Sequence, residues 1–372
     1  MKILLAGGGT AGHINPALAI AFEALRQDDK NEILFIGKKG NMEERLVGKA
    51  GFKMEFIDVE GFKRKLSLKN IAVAAKAFNA IFECRKIIKK FKPDIVVCTG
   101  GYVSGPVMSA AHMQKVPAII HEQNVYPGVT VKMSEKSAVC VATSFEKTAE
   151  LLHDAGKCVL TGNPIRKDII LADPQSARID LGLDERPFVL AFGGSLGAAR
   201  INDAVFNYIK YVIENENKVQ ILFGTGTRNY EEVLKRFADE NINISKYHNI
   251  TVTPYIYNMP EVMAAADVVI SRAGAISISE IMAAGKASVL IPSPNVAHNH
   301  QQTNAMLLQK NNAAVVILEK DLTNEIFAKK IESIIYSKEM QTTLETNAKK
   351  MGISDAAEKI YMLAKKYALK QK

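Results

Sequence analysis

The chain has 372 residues, of which 48% are hydrophobic and 23% charged, so it is long enough for two domains with buried cores. No apolar run is long enough for a membrane span or a signal peptide, and the four cysteines lack metal-ligand spacing, as is typical of a reduced cytoplasmic protein. The net charge is +9, and the stretch from Gly61 to Lys92, with ten basic residues and one acid, carries that whole excess. The charge therefore predicts one local surface for an anionic partner.

Strands and helices alternate along the N-terminal half. Short apolar runs predict strands in KILLA, EILFIG, KMEFIDV, DIVVCTG and AIIHEQN. The first helix is predicted in PALAIAFEALR, with Asn15 as its N-cap and Pro16 at the first helical position. A long helix is predicted from about Asn70 to Phe91. The alternation predicts a parallel sheet that is covered on both faces.

The pattern pauses around Pro164, Pro174 and Pro187 and then begins again with FVLAF, GGSLGAA, RINDAVFNYI and KVQILFGTG. Each half thus starts with a strand that passes through glycines into a helix. The sequence predicts an α/β fold of two Rossmann-like domains, each with a doubly wound parallel sheet, that face each other across a cleft.

The first glycine loop, GGGTAGH, has Gly7, Gly9 and Gly12 at the spacing of a dinucleotide-binding turn. An acid at the tip of the second strand would bind the ribose of NAD, but EILFIG is followed by two lysines, which weakens the NAD hypothesis. The loop either offers N–H groups to an anion or sugar or is only a tight turn. His13 lies just ahead of the predicted helix, whose positive end favours a neutral ring. It is either a general base or a residue that only hydrogen-bonds the loop or a substrate.

Two segments of the second half also predict ligand contacts. In GGSLGAA, Ser195 adds a hydroxyl donor to loop amides that precede a helix, which is typical of a phosphate site. In AISISE, the Glu280 carboxylate can bind the vicinal diol of a ribose. Ser277-x-x-Glu280 is also a capping box that needs no ligand, and motif chemistry alone favours the capping box.

Polar side chains follow two strands. His121, Glu122, Gln123 and Asn124 close a strand at its carboxyl end, where open α/β sheets bind ligands, and packing does not explain four polar side chains there. HNHQQTNA is similarly polar after SVLIP. Its histidines have no acid or cysteine beside them, so a polar ligand is favoured over a metal ion.

The long helix has two different faces. One is an apolar stripe that we assign to the core and that contains Val73, Ala77, Ala80, Cys84, Ile87 or Ile88, and Phe91. The opposite face combines Ile71, Ala75, Phe78 and Phe82 with Arg85, Lys86 and Lys89. This mixture predicts reversible contact with an anionic membrane surface, unless both phenylalanines are buried under the loop GFKRKLSLKN. Nucleic acid is a poorer partner because no nucleic-acid-reading motif accompanies the patch.

Six segments occur in the order found in one bacterial family: GGGTAGHINPALAIA, GGYVSGP, HEQN, GNPIR, GGSLGA and AISISE. In these motifs nearly the whole chain resembles the MurG family, which adds N-acetylglucosamine to lipid I in peptidoglycan synthesis. The resemblance implies a GT-B fold and an inverting transfer that uses no metal or other cofactor. The implied donor is UDP-N-acetylglucosamine (UDP-GlcNAc). The implied acceptor is the 4-hydroxyl of MurNAc in lipid I (undecaprenyl-pyrophosphoryl-MurNAc-pentapeptide), and the product is lipid II.

The resemblance also assigns roles to parts of the chain. It implies an acceptor-binding and membrane-associating domain over residues 1–163, a UDP-GlcNAc-binding domain over 164–351, and a C-terminal helix over 352–372 that packs back on the first domain. The expected location is peripheral, at the cytoplasmic face of the cell membrane. A GT-B transferase with another lipid acceptor is the alternative, and an NAD dehydrogenase or a non-catalytic nucleotide-sugar-binding protein is the alternative outside transferases.

Carried onto this sequence, the family's substrate contacts fall on Thr10, Ala11, Gly12, Asn124, Arg166, Ser195, Ile256, Ala275, Ile276, Ser277, Ile278, Ser279, Glu280 and Gln301. In the family the glutamate binds the ribose, which replaces the capping-box interpretation of Glu280. The expected base is His13, with Glu122 as second choice. Ala11 stands where many members have glycine, so its φ must not be positive. Alignment on Asn304-Ala305 favours Gln301 over Gln302.

Overall fold

The chain forms two compact units in the computed structural model, which describes residues 1–61, 69–194 and 196–370. One unit contains Met1–Ile165 and Ile353–Lys372, and the other contains Arg166–Gly352. Outside the described residues lie the loop segment 62–68 and Ser195, which is predicted to bind a phosphate group. The side chains of residues 69–72, 74 and 297 are also outside the description, and they include that of the predicted membrane contact Ile71.

Each unit is built on one sheet. The strands of the first unit are β1 (Lys2–Ala6), β2 (Glu32–Gly37), β3 (Lys53–Phe56), β4 (Ile95–Cys98), β5 (Ala118–Glu122), β6 (Cys140–Thr143) and β7 (Cys158–Leu160). Those of the second are β8 (Phe188–Phe192), β9 (Gln220–Gly224), β10 (Ile250–Thr253), β11 (Val268–Ser271), β12 (Ala287–Leu290) and β13 (Val315–Val316). Their orders are β3-β2-β1-β4-β5-β6-β7 and β10-β9-β8-β11-β12-β13. All of these strand pairs are parallel, which confirms the predicted sheets.

Helices connect the strands. In the first unit they are α1 (Ala11–Gln27), α2 (Met42–Lys49), α3 (Lys69–Phe91), α4 (Ser104–Met113), α5 (Val129–Ser134) and α6 (Glu146–Ala149). In the second they are α7 (Lys167–Leu171), α8 (Pro174–Asp180), α9 (Ala199–Glu214), α10 (Tyr230–Asp239), α11 (Met259–Ala265), α12 (Ala275–Ala284), α13 (His300–Lys310), α14 (Asn324–Ile335) and α15 (Lys338–Met351). The last helix, α16 (Ala356–Leu369), belongs to the first unit. Within the described ranges, no helix combines the length and apolar character that a membrane span requires.

Both faces of the first sheet are covered because successive residues of a strand point to opposite sides. Ile3 and Leu5 pack in one cluster with apolar residues of α1 and α16. Leu4 and Ala6 pack in another with α3 and α4, where Ala80 and other residues of the predicted core stripe are buried. The C-terminal helix is also hydrogen-bonded to the connection between α1 and β2, since Asn31 Nδ2 donates to Tyr361 Oη over 3.3 Å.

The first helix begins earlier than predicted. It starts at Ala11 with Thr10 as N-cap, so Pro16 lies inside the helix and the prediction of Asn15 as N-cap is wrong. The reason is that the Thr10 carbonyl already accepts hydrogen bonds from the backbone N–H groups of His13 and Ile14, at 3.0 and 3.1 Å. Ala11 is not among the residues with positive φ, so its methyl group is accommodated without backbone strain.

Candidate functional site

Two glycine turns meet at the carboxyl ends of the neighbouring strands β1 and β4. The backbone N–H of Gly8 donates to the carbonyl of Gly100 over 3.3 Å. A Cβ atom on Gly101, whose φ is +79°, would lie 2.1 Å from the Gly8 carbonyl oxygen. The two turns therefore touch backbone to backbone, and only glycine fits at position 101.

Replacement of Gly101 by alanine is expected to lower the melting temperature, because the new methyl group meets rigid backbone and a positive φ alone costs about 1–3 kcal/mol. The matched control is Gly105→Ala in α4, where nothing lies within 4 Å of the added Cβ. That change should be neutral or stabilising by up to about 1 kcal/mol. Calorimetry measures both melting temperatures, and equal values for the two variants would contradict the close approach of Gly101 to the Gly8 carbonyl.

His13 lies in the first turn of α1 rather than ahead of it, because the helix starts at Ala11. Its Nδ1 lies 3.2 Å from the Gly8 carbonyl oxygen, which can only accept, and 3.1 Å from the Thr10 hydroxyl, which can accept as well, so a proton on Nδ1 satisfies both contacts. The other ring nitrogen, Nε2, is then the basic one, and it lies against Gly100. Burial lowers the pKa of His13 below 6.5, and the Gly8 hydrogen bond raises it by less. The His13 ring is thus neutral at pH 7, and Nε2 is the nitrogen that can accept a proton.

Most of the HEQN segment forms an internal hydrogen-bond network, so the view that packing cannot explain its polar residues is wrong. His121 Nε2 donates to the Gly162 carbonyl over 3.0 Å. Gln123 Nε2 donates to His121 Nδ1 over 2.9 Å and to the Thr99 carbonyl over 2.6 Å. Both side chains are buried, and burial lowers the pKa of His121 to about 4. These contacts join the ends of neighbouring strands, and the network keeps buried polar groups satisfied.

Both oxygens of Glu122 are also occupied. Oε1 accepts from the backbone N–H and from Nδ2 of Asn124, at 2.8 and 3.1 Å, and Oε2 accepts from the Gly128 N–H at 2.7 Å. Burial raises the pKa of Glu122, while these hydrogen bonds lower it. The carboxyl group therefore organises the loop that carries Asn124, and this geometry favours His13 over Glu122 as the base.

One further acid reaches the first glycine loop. Glu43 of α2 is buried, and its carboxyl group accepts from the backbone N–H of Gly9. The sequence analysis missed this residue because it sought an acid at the tip of β2. The available signal was that Glu43 lies four residues before Val47 and so shares the buried face of α2.

The second unit also pairs two glycine turns, one after β8 and one after β9. A Cβ on Gly197, at φ +80°, would lie 2.1 Å from the carbonyl oxygen of Thr225, and one on Gly226 would lie 2.1 Å from the nitrogen of Gly197. Gly197 thus makes a backbone-to-backbone contact like that of Gly101, and it follows β8, the first strand of the second unit.

The predicted capping box is wrong. Helix α12 begins at Ala275 with Gly274 as its N-cap, so Ser277 lies within the first turn and cannot cap it. Ala275, Ile276 and Ser277 are partly exposed, whereas Ile278 and Ser279 are buried, and the Ser279 hydroxyl donates to the Ala275 carbonyl over 2.8 Å.

Glu280 has no capping partner and is partly exposed. Burial of its carboxyl group raises the pKa of Glu280 to about 7, Arg166 lowers the pKa by less, and Asp168 raises it further. Arg166 also forms an ion pair with Asp168 at the start of α7. This part of the second unit therefore combines a titratable carboxylate with a guanidinium group.

The remaining predicted donor contacts lie on other elements. Ile256 follows β10, is only 8% exposed and packs near Gly224. Gln301 in α13 accepts a hydrogen bond from the Ser293 N–H over 2.8 Å. Gln302 is also partly exposed, so the choice of Gln301 stays a prediction. Thr10, Ala11, Gly12 and Asn124 lie in the first unit. Over the described parts of the chain, no group of three metal-ligating side chains could hold a metal ion.

The solvent face of α3 keeps its aromatic rings exposed. Phe78 is 61% and Phe82 42% exposed, so the alternative that both are buried is wrong. The two ring centroids are 5.1 Å apart, and the Arg85 guanidinium lies 5.9 Å from the Phe82 centroid. Lys86 and Lys89 are exposed on the same helix.

Two units of parallel strands with paired glycine turns are the architecture of GT-B glycosyltransferases. Residues 3–143 match the N-terminal domain and residues 188–360 the C-terminal domain of glycosyltransferase family 28. Over 98% of its length the chain is 44% identical to the UDP-N-acetylglucosamine–N-acetylmuramyl-(pentapeptide) pyrophosphoryl-undecaprenol N-acetylglucosamine transferase of Thermoanaerobacter sp. (strain X514), of which 99% is covered. It is 43% identical to the transferase of the same name from Acetivibrio thermocellus, with 98% of each chain covered.

The crystal structure of Acinetobacter baumannii MurG gives a TM-score of 0.77 at 26% identity, and the match covers 98% of this chain and 99% of that one. The chain therefore belongs to this family of glycosyltransferases. The predicted family and the GT-B fold are confirmed, and the NAD dehydrogenase hypothesis is wrong.

Proposed function

We propose that this protein transfers N-acetylglucosamine from UDP-GlcNAc to the MurNAc 4-hydroxyl of lipid I and so forms lipid II. The observation that carries the proposal is the match of nearly the whole chain, at 44% identity, to a transferase named for this reaction. Residues 1–163 then bind the acceptor and associate with the membrane, residues 164–351 bind UDP-GlcNAc, and residues 352–372 contain the helix α16 that returns to the first domain. The reaction serves cell-wall biogenesis, and through it cell shape and division.

In this proposal His13 is the general base. Nε2 takes the proton from the acceptor 4-hydroxyl, and that oxygen attacks the anomeric carbon of N-acetylglucosamine from the face opposite UDP. The bond from the anomeric carbon to the diphosphate oxygen breaks, UDP leaves, and the new linkage is β. Support comes from the neutral ring and from its Nδ1–H bond to Gly8, which leaves Nε2 as the acceptor.

The donor is held by the second unit, and Thr10, Ala11, Gly12 and Asn124 are further proposed donor contacts. Glu280 binds the two ribose hydroxyls, supported by its position in α12 free of a capping role. Arg166 and the hydroxyl and loop amides around Ser195 stabilise charge that grows on the departing diphosphate. Ile256, Gln301 and the remainder of Ala275–Glu280 complete the donor contacts.

Incubation with UDP-GlcNAc labelled in the sugar and a lipid I analogue should produce a labelled disaccharide lipid. Diacylglycerol in place of the analogue tests the alternative lipid acceptor and should give no labelled lipid. UDP binding without release of UDP in the presence of the lipid I analogue would instead identify a non-catalytic nucleotide-sugar-binding protein.

The membrane contact surface is the exposed face of α3 formed by Phe78, Phe82, Arg85, Lys86 and Lys89, with Ile71 predicted to extend it. Exposed aromatic rings beside cations support this proposal, because rings insert between lipids while each basic residue near anionic lipid contributes about 1 kcal/mol. The enzyme then lies peripherally on the cytoplasmic face of the cell membrane, where its lipid acceptor is located.

The double substitution Phe78→Ser and Phe82→Ser is expected to weaken binding to phosphatidylglycerol vesicles by at least about 100-fold, because insertion of each ring contributes about 1.5–3 kcal/mol. Vesicle sedimentation measures the change. Phe22→Ser is the matched control, since Phe22 is 53% exposed but lies on α1, across the sheet from α3. Equal vesicle binding by the double variant and the wild-type protein would overturn the assignment of this surface.

A further inference from the structure

Glu43 is the most deeply buried acid near the first glycine loop, with no measurable exposure. Its carboxyl group has three neutral donors. Oε2 accepts from the backbone N–H of Gly9 at 3.4 Å, and Oε1 accepts from the backbone N–H of Lys38 at 3.3 Å and from the Tyr102 hydroxyl at 2.9 Å. Burial of a carboxylate is costly unless hydrogen bonds compensate it, so its position is tied to these donors.

The same peptide group joins Glu43 to His13. The N–H of Gly9 and the carbonyl of Gly8 belong to one planar peptide. Glu43 holds its N–H end, and His13 Nδ1 donates to its carbonyl end at 3.2 Å. The orientation of this peptide therefore fixes where the carbonyl points, and the carbonyl, together with the Thr10 hydroxyl 3.1 Å from Nδ1, favours the tautomer with the proton on Nδ1.

Tyr102 joins the second glycine turn to the same carboxyl group. Its hydroxyl donates to Glu43 and accepts from Asn41 Nδ2 at 2.7 Å. Its ring covers Gly9, since a Cβ there would lie 2.9 Å from the ring atom Cε1. A Cβ on Gly8 would lie 3.1 Å from Glu43 Oε1, so the carboxyl group fills the space inside the turn.

We propose that Glu43 is a positioning residue for the transfer: through the Gly8–Gly9 peptide it holds His13 in the tautomer and orientation in which Nε2 faces the acceptor hydroxyl. It does not touch substrate. The Gly9 N–H that a dinucleotide-binding turn would offer to a phosphate is instead bonded to this internal carboxylate. This inference rests on the proposed function, because it assigns Glu43 a role through the base of that reaction.

Glu43→Ala is expected to lower kcat by about 10- to 100-fold, because loss of orientation at a reacting group costs up to about that factor. The KM for UDP-GlcNAc should change by less than about twofold, since the orientation of the base acts on the chemical step. Glu43→Gln should retain more activity than the alanine variant, because its amide oxygen can still accept from Gly9. Glu44→Ala is the matched control on the same helix, since the Glu44 carboxyl accepts from the Gly40 N–H and not from the loop GGGTAGH.

A readout that does not depend on activity is the tautomer of His13. Nitrogen NMR of histidine-labelled wild-type protein, with the His13 signals identified from their loss in His13→Ala, should show the proton on Nδ1. The Glu43→Gln spectrum should show a weaker preference for that tautomer. A wild-type ring protonated on Nε2 would overturn the proposal even if Glu43→Ala does not fold.

The kinetic outcomes separate the two proposals. If the wild-type protein transfers no sugar to the lipid I analogue, the proposed function fails. If the wild-type protein is active and folded Glu43→Ala has the same kcat, only the role of Glu43 fails. A lower melting temperature with unchanged kcat would likewise indicate that Glu43 serves stability alone, against the proposal.

Discussion

Replacement of His13 by alanine is expected to reduce kcat by about 100- to 10,000-fold, which is the contribution typical of a positioned general base. The KM for UDP-GlcNAc should change little, because the imidazole acts on the acceptor hydroxyl rather than on the nucleotide. Steady-state transfer of labelled sugar to a lipid I analogue measures both constants. His112→Ala is the control, since His112 is an exposed histidine on α4.

The pH profile gives an independent test of His13. Burial lowers the pKa of His13 below 6.5, and the base must be neutral to accept a proton. The kcat, measured at saturating UDP-GlcNAc, should therefore be fully present above pH 6.5 and decline as the pH falls through the lowered pKa. In His13→Ala this acidic limb should be absent from the residual kcat. An unchanged kcat in the variant would remove His13 as the base.

Replacement of Glu280 by glutamine is expected to weaken UDP binding by about 10- to 100-fold, because hydrogen bonds to a charged group contribute about 1.5–3 kcal/mol. Glutamine keeps the size of the side chain but lacks the negatively charged carboxylate, whose two oxygens accept hydrogen bonds from the two ribose hydroxyls. Calorimetric titration with UDP measures the affinity. Glu325→Gln on α14 is a matched control, because Glu325 only pairs with Lys329 on the surface.

The affinity for UDP should also depend on pH through Glu280. Its pKa is raised to about 7, so the ionised form that binds the ribose dominates above that pH. As the pH falls below 7, protonation competes with binding, and the dissociation constant should rise by up to about tenfold per pH unit. Glu280→Gln should lose this dependence. Wild-type affinity that stays constant from pH 8 to pH 5.5 would contradict the assignment of Glu280 to the ribose.

Local patterns predicted the secondary structure well where the pattern extends over a whole element. The long helix was predicted from about Asn70 and is observed over Lys69–Phe91, because its apolar stripe repeats through several turns. Helix starts were less predictable. Asn15-Pro16 and Ser277-x-x-Glu280 are good local start signals, yet α1 and α12 begin earlier because the carbonyls of Thr10 and Gly274 already accept hydrogen bonds from the first turn of each helix.

The chemistry of the polar residues could not be predicted from local sequence for a different reason. The sequence pattern indicated a ligand-binding role for His121 and Glu122 and gave no role for Glu43. Their partners are separated from them by between two and 59 positions, for example Glu43 from Tyr102. Whether a carboxyl group faces a ligand or a neighbouring loop depends on which turns the sheet brings together.

The amino-acid sequence by itself determined the alternation of strands and helices, the restart in the second half and the family, because apolar periodicity and ordered motifs are properties of the linear chain. Only the tertiary structure decided that the Glu122 carboxyl is occupied by its own loop, that Glu280 is not a cap, and that Glu43 reaches the peptide beside His13. Burial and hydrogen-bond partners set these roles, and both arise only when distant strand ends pack against each other.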